Sequence, residues 1–263
     1  MVLGLKGKRA VVLAASQGLG YACALNLAHE EAKLVICSRN KARIEAAAEM
    51  IRDESGARVH PVVADVSREE SIKAVVQACV DSFGGLEIVI HNAGGPPPGD
   101  FEAVSIDQWY QAFDQNLMSF TWLVRAAISE MKKAGYGRII AITSSSIKQP
   151  IPSLVLSNVM RTGVLGLART LAKELAPHNI LVNVIAPGGI ETERTRALNK
   201  ARAERTGQSV EEIHQANIAS IPLGRLGRPE ELAHLATFLA SEAASYITGT
   251  AIQVDGGQLD ALQ

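Results

Sequence analysis

Cysteine is scarce in this sequence. Cys23, Cys37 and Cys79 are odd in number and share no metal-ligand spacing, which excludes a disulfide framework and fits a reduced, cytoplasmic chain with small buried thiols. An excess of either charge is missing too. Lys and Arg number 26 against 27 Asp and Glu, so nothing asks for a nucleic-acid partner and no charge block reads as a tail. Long hydrophobic runs are absent: the longest, such as Ala10–Ala15, fall far short of a membrane span. The first residues, Met-Val-Leu-Gly-Leu-Lys-Gly-Lys-Arg, mix cations into their apolar part and lead straight into a strand, unlike a signal peptide. No repeat, low-complexity tract or linker-like shift in composition divides the chain.

What the chain does have is apolar material, 47% of 263 residues, enough for a sizeable core in one α/β domain. Short β-branched runs alternate with longer segments of helical periodicity. The strands read as Arg9–Ala14, Leu34–Ser38, Val59–Val63, Glu87–Asn92, Arg138–Ile142, Leu181–Ile185 and Ala251–Val254. Between them, apolar residues recur at helical spacing, as at Ala42, Ile44, Ala47, Ala48 and Ile51. Continuous apolar strands such as Leu34-Val35-Ile36-Cys37 imply burial on both faces. This alternation predicts a single-domain Rossmann fold over residues 1–263, a doubly wound, seven-stranded parallel sheet with helices on both faces. One stretch breaks the rhythm: from Pro187 to Pro222 the chain is polar and charged. It predicts one or two exposed helices forming a substrate lid at about residues 188–221.

The first strand runs into Ala14-Ala15-Ser16-Gln17-Gly18-Leu19-Gly20 and then a helix. Glycines there let the backbone approach a pyrophosphate, and the helix N-terminus offers free N–H groups and a positive dipole end. Further short motifs follow in order: Asp65-Val66 after the third strand, Asn92-Ala93-Gly94 after the fourth, then Asn116 and Ser144. Towards the C-terminus come Pro187-Gly188-x-x-x-Thr192, Arg225-x-Gly227-x-Pro229-Glu230-Glu231, Gly249 and Asp255-Gly256-Gly257.

In that order and spacing the whole chain resembles the short-chain dehydrogenase/reductase family, in the branch of 3-oxoacyl-acyl-carrier-protein reductases and tropinone reductases. The family opens with Thr-Gly-x-x-x-Gly-x-Gly; Gly18 and Gly20 match, while Leu13 and Ala14 replace the Thr and first Gly. A slightly altered turn is therefore expected. The resemblance implies a nicotinamide dinucleotide cradled by Ala14, Ser16, Gln17, Gly18, Leu19 and Gly20. Asp65 and Val66 would hold the adenine, and Asn92, Ala93 and Gly94 would line the channel. Pro187, Gly188, Ile190 and Thr192 would meet the nicotinamide amide. Arg39 stands 19 residues past Gly20, where NAD-preferring folds place an acid for the ribose 2′-hydroxyl. A guanidinium there, with Ser38 as an added donor, suits a 2′-phosphate, so NADP(H) is expected over NAD(H).

The family's catalytic helix carries Tyr-x-x-x-Lys. Here Gly163-Val164-Leu165-Gly166 fixes the register and puts Ser157 at the Tyr position and Arg161 at the Lys position. The four tyrosines, Tyr21, Tyr110, Tyr136 and Tyr246, lie elsewhere in the sequence. Ser157 and Arg161 still share one helix face. By the resemblance, Ser144 holds the substrate oxygen, Asn116 orients a water, and Arg161 binds the cofactor ribose. Lys148, four residues past Ser144, is the candidate to carry the proton instead. The expected activity is an NADP(H)-dependent oxidoreductase acting on a small-molecule carbonyl/alcohol couple through an atypical proton relay. The alternative is a nucleotide-binding member with little or no redox activity, a sensor or non-catalytic subunit. His91 reads as a hydrogen-bonded core residue. Helices near Ser119–Ala134 and Leu154–Leu175, apolar on more than one face, predict a homotetramer or homodimer.

Overall fold

The computed structural model describes residues 2–260. Seven strands alternate with helices in chain order: β1 (Arg9–Val12), α1 (Gly18–His29), β2 (Lys33–Ser38), α2 (Lys41–Ser55), β3 (Val59–Val63), α3 (Glu69–Phe83) and β4 (Ile88–His91). There follow α4 (Ile106–Ala112), a π-helical turn (Phe113–Met118), α5 (Ser119–Ala134), β5 (Gly137–Ile142), α6 (Val155–Leu175) and β6 (Ile180–Pro187). The chain ends with α7 (Glu193–Thr206), α8 (Val210–Ala219), α9 (Pro229–Ala240) and β7 (Ala251–Val254).

The strands form one sheet in the order β3-β2-β1-β4-β5-β6-β7, and every neighbouring pair is parallel. Parallel pairing buries both faces, which is why the central strands carry no polar alternation. On one face, Val12, Ile36, Ile90 and Ile140 pack with Leu27 of α1, Ile44 of α2 and Leu239 of α9. On the other, Val11, Val35, Val89 and Ile139 pack with Val75 of α3, Phe120 of α5 and Val164 of α6. Each fully buried aliphatic or aromatic side chain of this kind contributes roughly 1.5–3 kcal/mol relative to exposure.

Two ends of the architecture set up function. Successive strands step outward from β1 in opposite directions, to β2 and β3 on one side and to β4 and beyond on the other. The loops after β1 and β4 therefore diverge, and a crevice opens over the carboxyl ends of the strands. The polar segment predicted as exposed helices forms α7 and α8. The two are tied by an Asn217 side-chain amide donating to Asn199 Oδ1 at 2.8 Å. Both begin on side-chain caps, Thr192 for α7 and Ser209, in a capping box with Glu212, for α8. Such caps satisfy amides that otherwise lack partners.

Candidate active site

A cleft of about 460 Å³ lies at that crevice. Its first wall is the loop after β1. Ala14 takes φ +48°, a left-handed conformation that costs an L-residue roughly 1–2 kcal/mol. The loop thus bends at the position where the family motif has a glycine. Hydrogen bonds hold it there: Asn92 Nδ2 donates to the Ala14 carbonyl at 3.1 Å, and the Ala15 amide donates to Cys37 at 2.9 Å. A Cβ on Gly20 would meet the Ala14 carbonyl oxygen at 2.5 Å and Asn92 Nδ2 at 2.7 Å. Gly20 is therefore buried beneath the loop as a packing requirement and does not itself line the cleft, whereas Ala14, Ser16, Gln17, Gly18 and Leu19 do. Gln17, the residue before α1, is extended and makes no side-chain cap. The first amides of α1 are left for a ligand, and the helix dipole favours an anion there.

At the end of β2, Ser38 and Arg39 border the same cleft. Arg43, in the first turn of α2, joins them and donates from Nη1 to Gln17 Oε1 at 3.0 Å. Sequence reasoning missed Arg43, although its position one helical turn past Arg39 is the available signal. Asp65 and Val66 form the neighbouring wall, with Asp65 Oδ1 accepting from the Ser67 amide and hydroxyl at 3.0 and 2.8 Å. Opposite, Pro187, Gly188, Ile190 and Thr192 line the cleft where β6 leads into α7. Glu193 Oε2 accepts from Gln17 Nε2 at 2.7 Å, a clasp across the opening.

The inner end of the cleft holds Ser144, Ser157 and Arg161, together with Asn92, Ala93 and Gly94. Ser144 follows β5 and caps a single 3₁₀ turn, its Oγ accepting from the Ser146 amide at 3.1 Å. Ser157 and Arg161 project from one face of α6 and are both buried. The Arg161 guanidinium donates only to backbone carbonyls: Ile142 at 3.2 Å, Thr143 at 2.7 Å and Ala93 at 3.4 Å. Burial, helped by the nearby positive charge of Arg194, pulls its pKa down to about 10, so it stays cationic at neutral pH.

Asn116 lies behind this end, in the π-helical turn between α4 and α5. It is fully buried; its Nδ2 donates to Ala112 at 3.1 Å, and its Oδ1 has no partner. Lys148 is not brought to the cleft. It sits half-exposed at the far end of the 3₁₀ turn and is not among the residues that line the cleft. Among the described residues no lysine, histidine, tyrosine or cysteine lines the cleft. His91 is a core residue: its Nε2 lies 2.7 Å from Ser119 Oγ, and burial first, then Arg161, pushes its pKa down to about 3. Gln115 and Arg194 also line the cleft and carried no motif. The three cysteines are buried, and burial raises each thiol pKa to about 12. Among the described residues no cluster of metal-ligating side chains occurs, and no helix is long and apolar enough to cross a membrane.

The uncapped helix, the close-packed Gly20 and the switch point in the sheet define a doubly wound dinucleotide-binding protein. Comparison with known proteins places it more closely. The family described as enoyl-(acyl carrier protein) reductase matches residues 13–258. The chain is 35% identical to the 3-oxoacyl-[acyl-carrier-protein] reductase FabG of Aquifex aeolicus over 98% of this chain and 99% of that one. It is 34% identical to the NADPH-dependent reductase BacG of Bacillus subtilis over 97% and 99%. Among solved structures, L-sorbose reductase of Gluconobacter frateurii, complexed with NADPH and L-sorbose, superposes with a TM-score of 0.94 at 33% identity, covering all of both chains. The chain belongs to the short-chain dehydrogenase/reductase family.

Proposed function

We propose that this chain is an NADP(H)-dependent oxidoreductase that interconverts a small-molecule carbonyl and its alcohol. The observation that carries the reading is one continuous cleft. It joins the uncapped N-terminus of α1 and the Arg39/Arg43 pair at one end to Ser144, Ser157 and Arg161 at the other. The residues present fit the cofactor. The α1 amides would take the pyrophosphate, Arg39, Arg43 and Ser38 the 2′-phosphate, and Asp65 and Val66 the adenine. Asn92 to Gly94 and the Pro187–Thr192 stretch would enclose the nicotinamide end. NADPH-dependent relatives and an NADPH-bound structural neighbour support the same preference.

Bound there, the nicotinamide supplies the hydride. Ser144 donates a hydrogen bond to the substrate oxygen, where charge develops as hydride arrives. Arg161, seated on three backbone carbonyls, would hold a fixed positive charge beside the cofactor ribose and bind its hydroxyls. Asn116 Oδ1, buried and free, orients a water through which the proton arrives. Serine at 157 in the tyrosine position, in a cleft without lysine, histidine, tyrosine or cysteine, supports a relay carried by water and hydroxyls. The absence of those groups also favours the second reading, a nucleotide-binding protein with little turnover. A segment at about residues 188–221, containing α7 and α8, serves as a lid. The chain acts in the cytoplasm as a homodimer or homotetramer.

Oxidation of NADPH against a panel of ketones, aldehydes and diketones separates the two readings. Turnover that Ser144→Ala lowers at least tenfold supports the enzyme; tight NADPH binding with no turnover on any member supports the second.

A further inference from the structure

Arg194 has no part in the cofactor contacts above. It is the second residue of α7, and its guanidinium donates from Nη2 to the Pro96 carbonyl at 2.6 Å. It lies flat against Gly95, where a Cβ would meet Nη2 at 2.8 Å, Nε at 2.9 Å and Cζ at 3.0 Å. Any side chain at 95 would displace it. Arg161 also donates to this stretch of backbone, to the Ala93 carbonyl at 3.4 Å. Two guanidinium groups, the buried Arg161 and the exposed Arg194, therefore bond to residues 93–96 in the wall of the cleft.

Neither is in an ion pair among the described residues. The cleft contains two carboxylates, and both are engaged away from these arginines: Asp65 with Ser67 and Glu193 with Gln17. Arg39 and Arg43 stand at the other end, beside β2. Arg161 is buried, and burial first, then the positive charge of Arg194, lowers its pKa; a like charge beside a buried cation without a counter-ion is costly. Such an arrangement persists when a ligand supplies the missing negative charge. Arg194 spends one Nη2 proton on Pro96, which leaves its Nε–H, the Nη1 protons and the second Nη2 proton as donors for an oxyanion.

We propose, building on the oxidoreductase reading, that the substrate carries an oxyanion, a carboxylate or phosphate, which Arg194 binds through its free guanidinium edge in the field of Arg161. Neutral carbonyl compounds would leave this charge uncompensated and would be poorer substrates. Because Arg194 belongs to the first turn of α7, the oxyanion would also fix that turn against residues 93–96.

The test uses matched probes with the NADPH-loaded protein: benzoylformate and its methyl ester, acetoacetate and its methyl ester, and dihydroxyacetone phosphate and dihydroxyacetone. Steady-state kcat/KM is measured for each, and calorimetric titration of the acids and the phosphate gives binding without turnover. The expected result is a preference for at least one charged member of a pair by roughly tenfold to a hundredfold. That preference falls at least tenfold in Arg194→Met, is partly restored in Arg194→Lys, and is unchanged in Lys200→Met, an exposed lid control. The NADPH dissociation constant of Arg194→Met stays within about twofold of the parent. Esters and dihydroxyacetone reduced as well as their charged partners would overturn the proposal while leaving the oxidoreductase reading intact. A loss of NADPH affinity in Arg194→Met with the charge preference unaltered would also overturn it, assigning Arg194 to the cofactor phosphates. Arginine-dependent binding of an acid with no turnover on any probe would support the oxyanion site and count against the redox reading. Neither binding nor turnover would overturn both.

Discussion

Ser157 and Arg161 lie one helical turn apart on α6, and their removal should have different consequences. A serine hydroxyl does not ionise near neutral pH without a partner base, and the two carboxylates that line the cleft, Asp65 and Glu193, are engaged with Ser67 and Gln17. Ser157→Ala should therefore cost less than the roughly 10²–10⁴ that follows loss of a positioned general acid–base. Ser144→Ala should cost more than Ser157→Ala, because Ser144 meets the oxygen as charge develops. Arg161→Ala should mainly weaken NADPH binding, and Lys148→Met should leave turnover within about twofold, since Lys148 stands off the cleft. Steady-state kinetics beside NADPH fluorescence titration checks all four; abolition of turnover by Ser157→Ala alone would mean that serine acts where tyrosine does in relatives. His91 gives a separate expectation. Its folded pKa of about 3 lies below the usual 6.5, so the unfolded chain binds the proton that the folded chain refuses. Its stabilising effect is present above about pH 6.5 and is lost as pH falls towards 3, at up to about 1.4 kcal/mol per pH unit. Denaturant melts at pH 7 and 5 should show a smaller acid loss in His91→Gln than in the parent; equal losses would contradict this.

Among the elements, α7 differs most from the core helices. It buries only Asn199 and Ala203, whereas α6 buries eight residues, from Leu156 to Leu175. Helices with few buried anchors open locally at low free-energy cost. Amide exchange should be faster in α7 and α8 than in β4 to β6, and should slow when NADPH and a substrate are bound. Uniform protection without ligand would contradict the lid. The strands were legible from sequence to within a residue or two, because β-branched runs buried on both faces leave little freedom of assignment. Ends shifted where residues took loop roles, as at Ala14, which bends away from β1, and Asn92, whose amide ties down that bend. The π-helical turn was not legible. Phe113–Met118 has ordinary helical composition, and the turn is accompanied by local bonds from the Ser119 hydroxyl to the Gln115 and Asn116 carbonyls and by one tertiary contact, from Ser119 to His91. Nor was Arg194, whose partner Pro96 is 98 positions away; no local pattern announces such a contact. The altered turn expected at Leu13-Ala14 is a left-handed Ala14, which an alanine tolerates because the surrounding hydrogen bonds fix it.

At the scale of the molecule, four of the exposed large apolar side chains lie on α4, the π-helical turn and α6. Ile106 is 68% exposed, Tyr110 67%, Phe113 38% and Val159 49%. Exposed apolar side chains near one another suit the proposed association, and light scattering at micromolar concentration should give a dimer or tetramer mass; a monomer would count against it. The central claim is that the cleft selects NADP(H) through the cationic end of β2. The most direct test is fluorescence titration of the parent and of Arg39→Asp with NADPH and NADH. The parent should bind NADPH more tightly by roughly tenfold or more, the worth of one or two charge-assisted hydrogen bonds, and Arg39→Asp should reverse the order. Equal affinities of the parent for the two nucleotides would contradict the account.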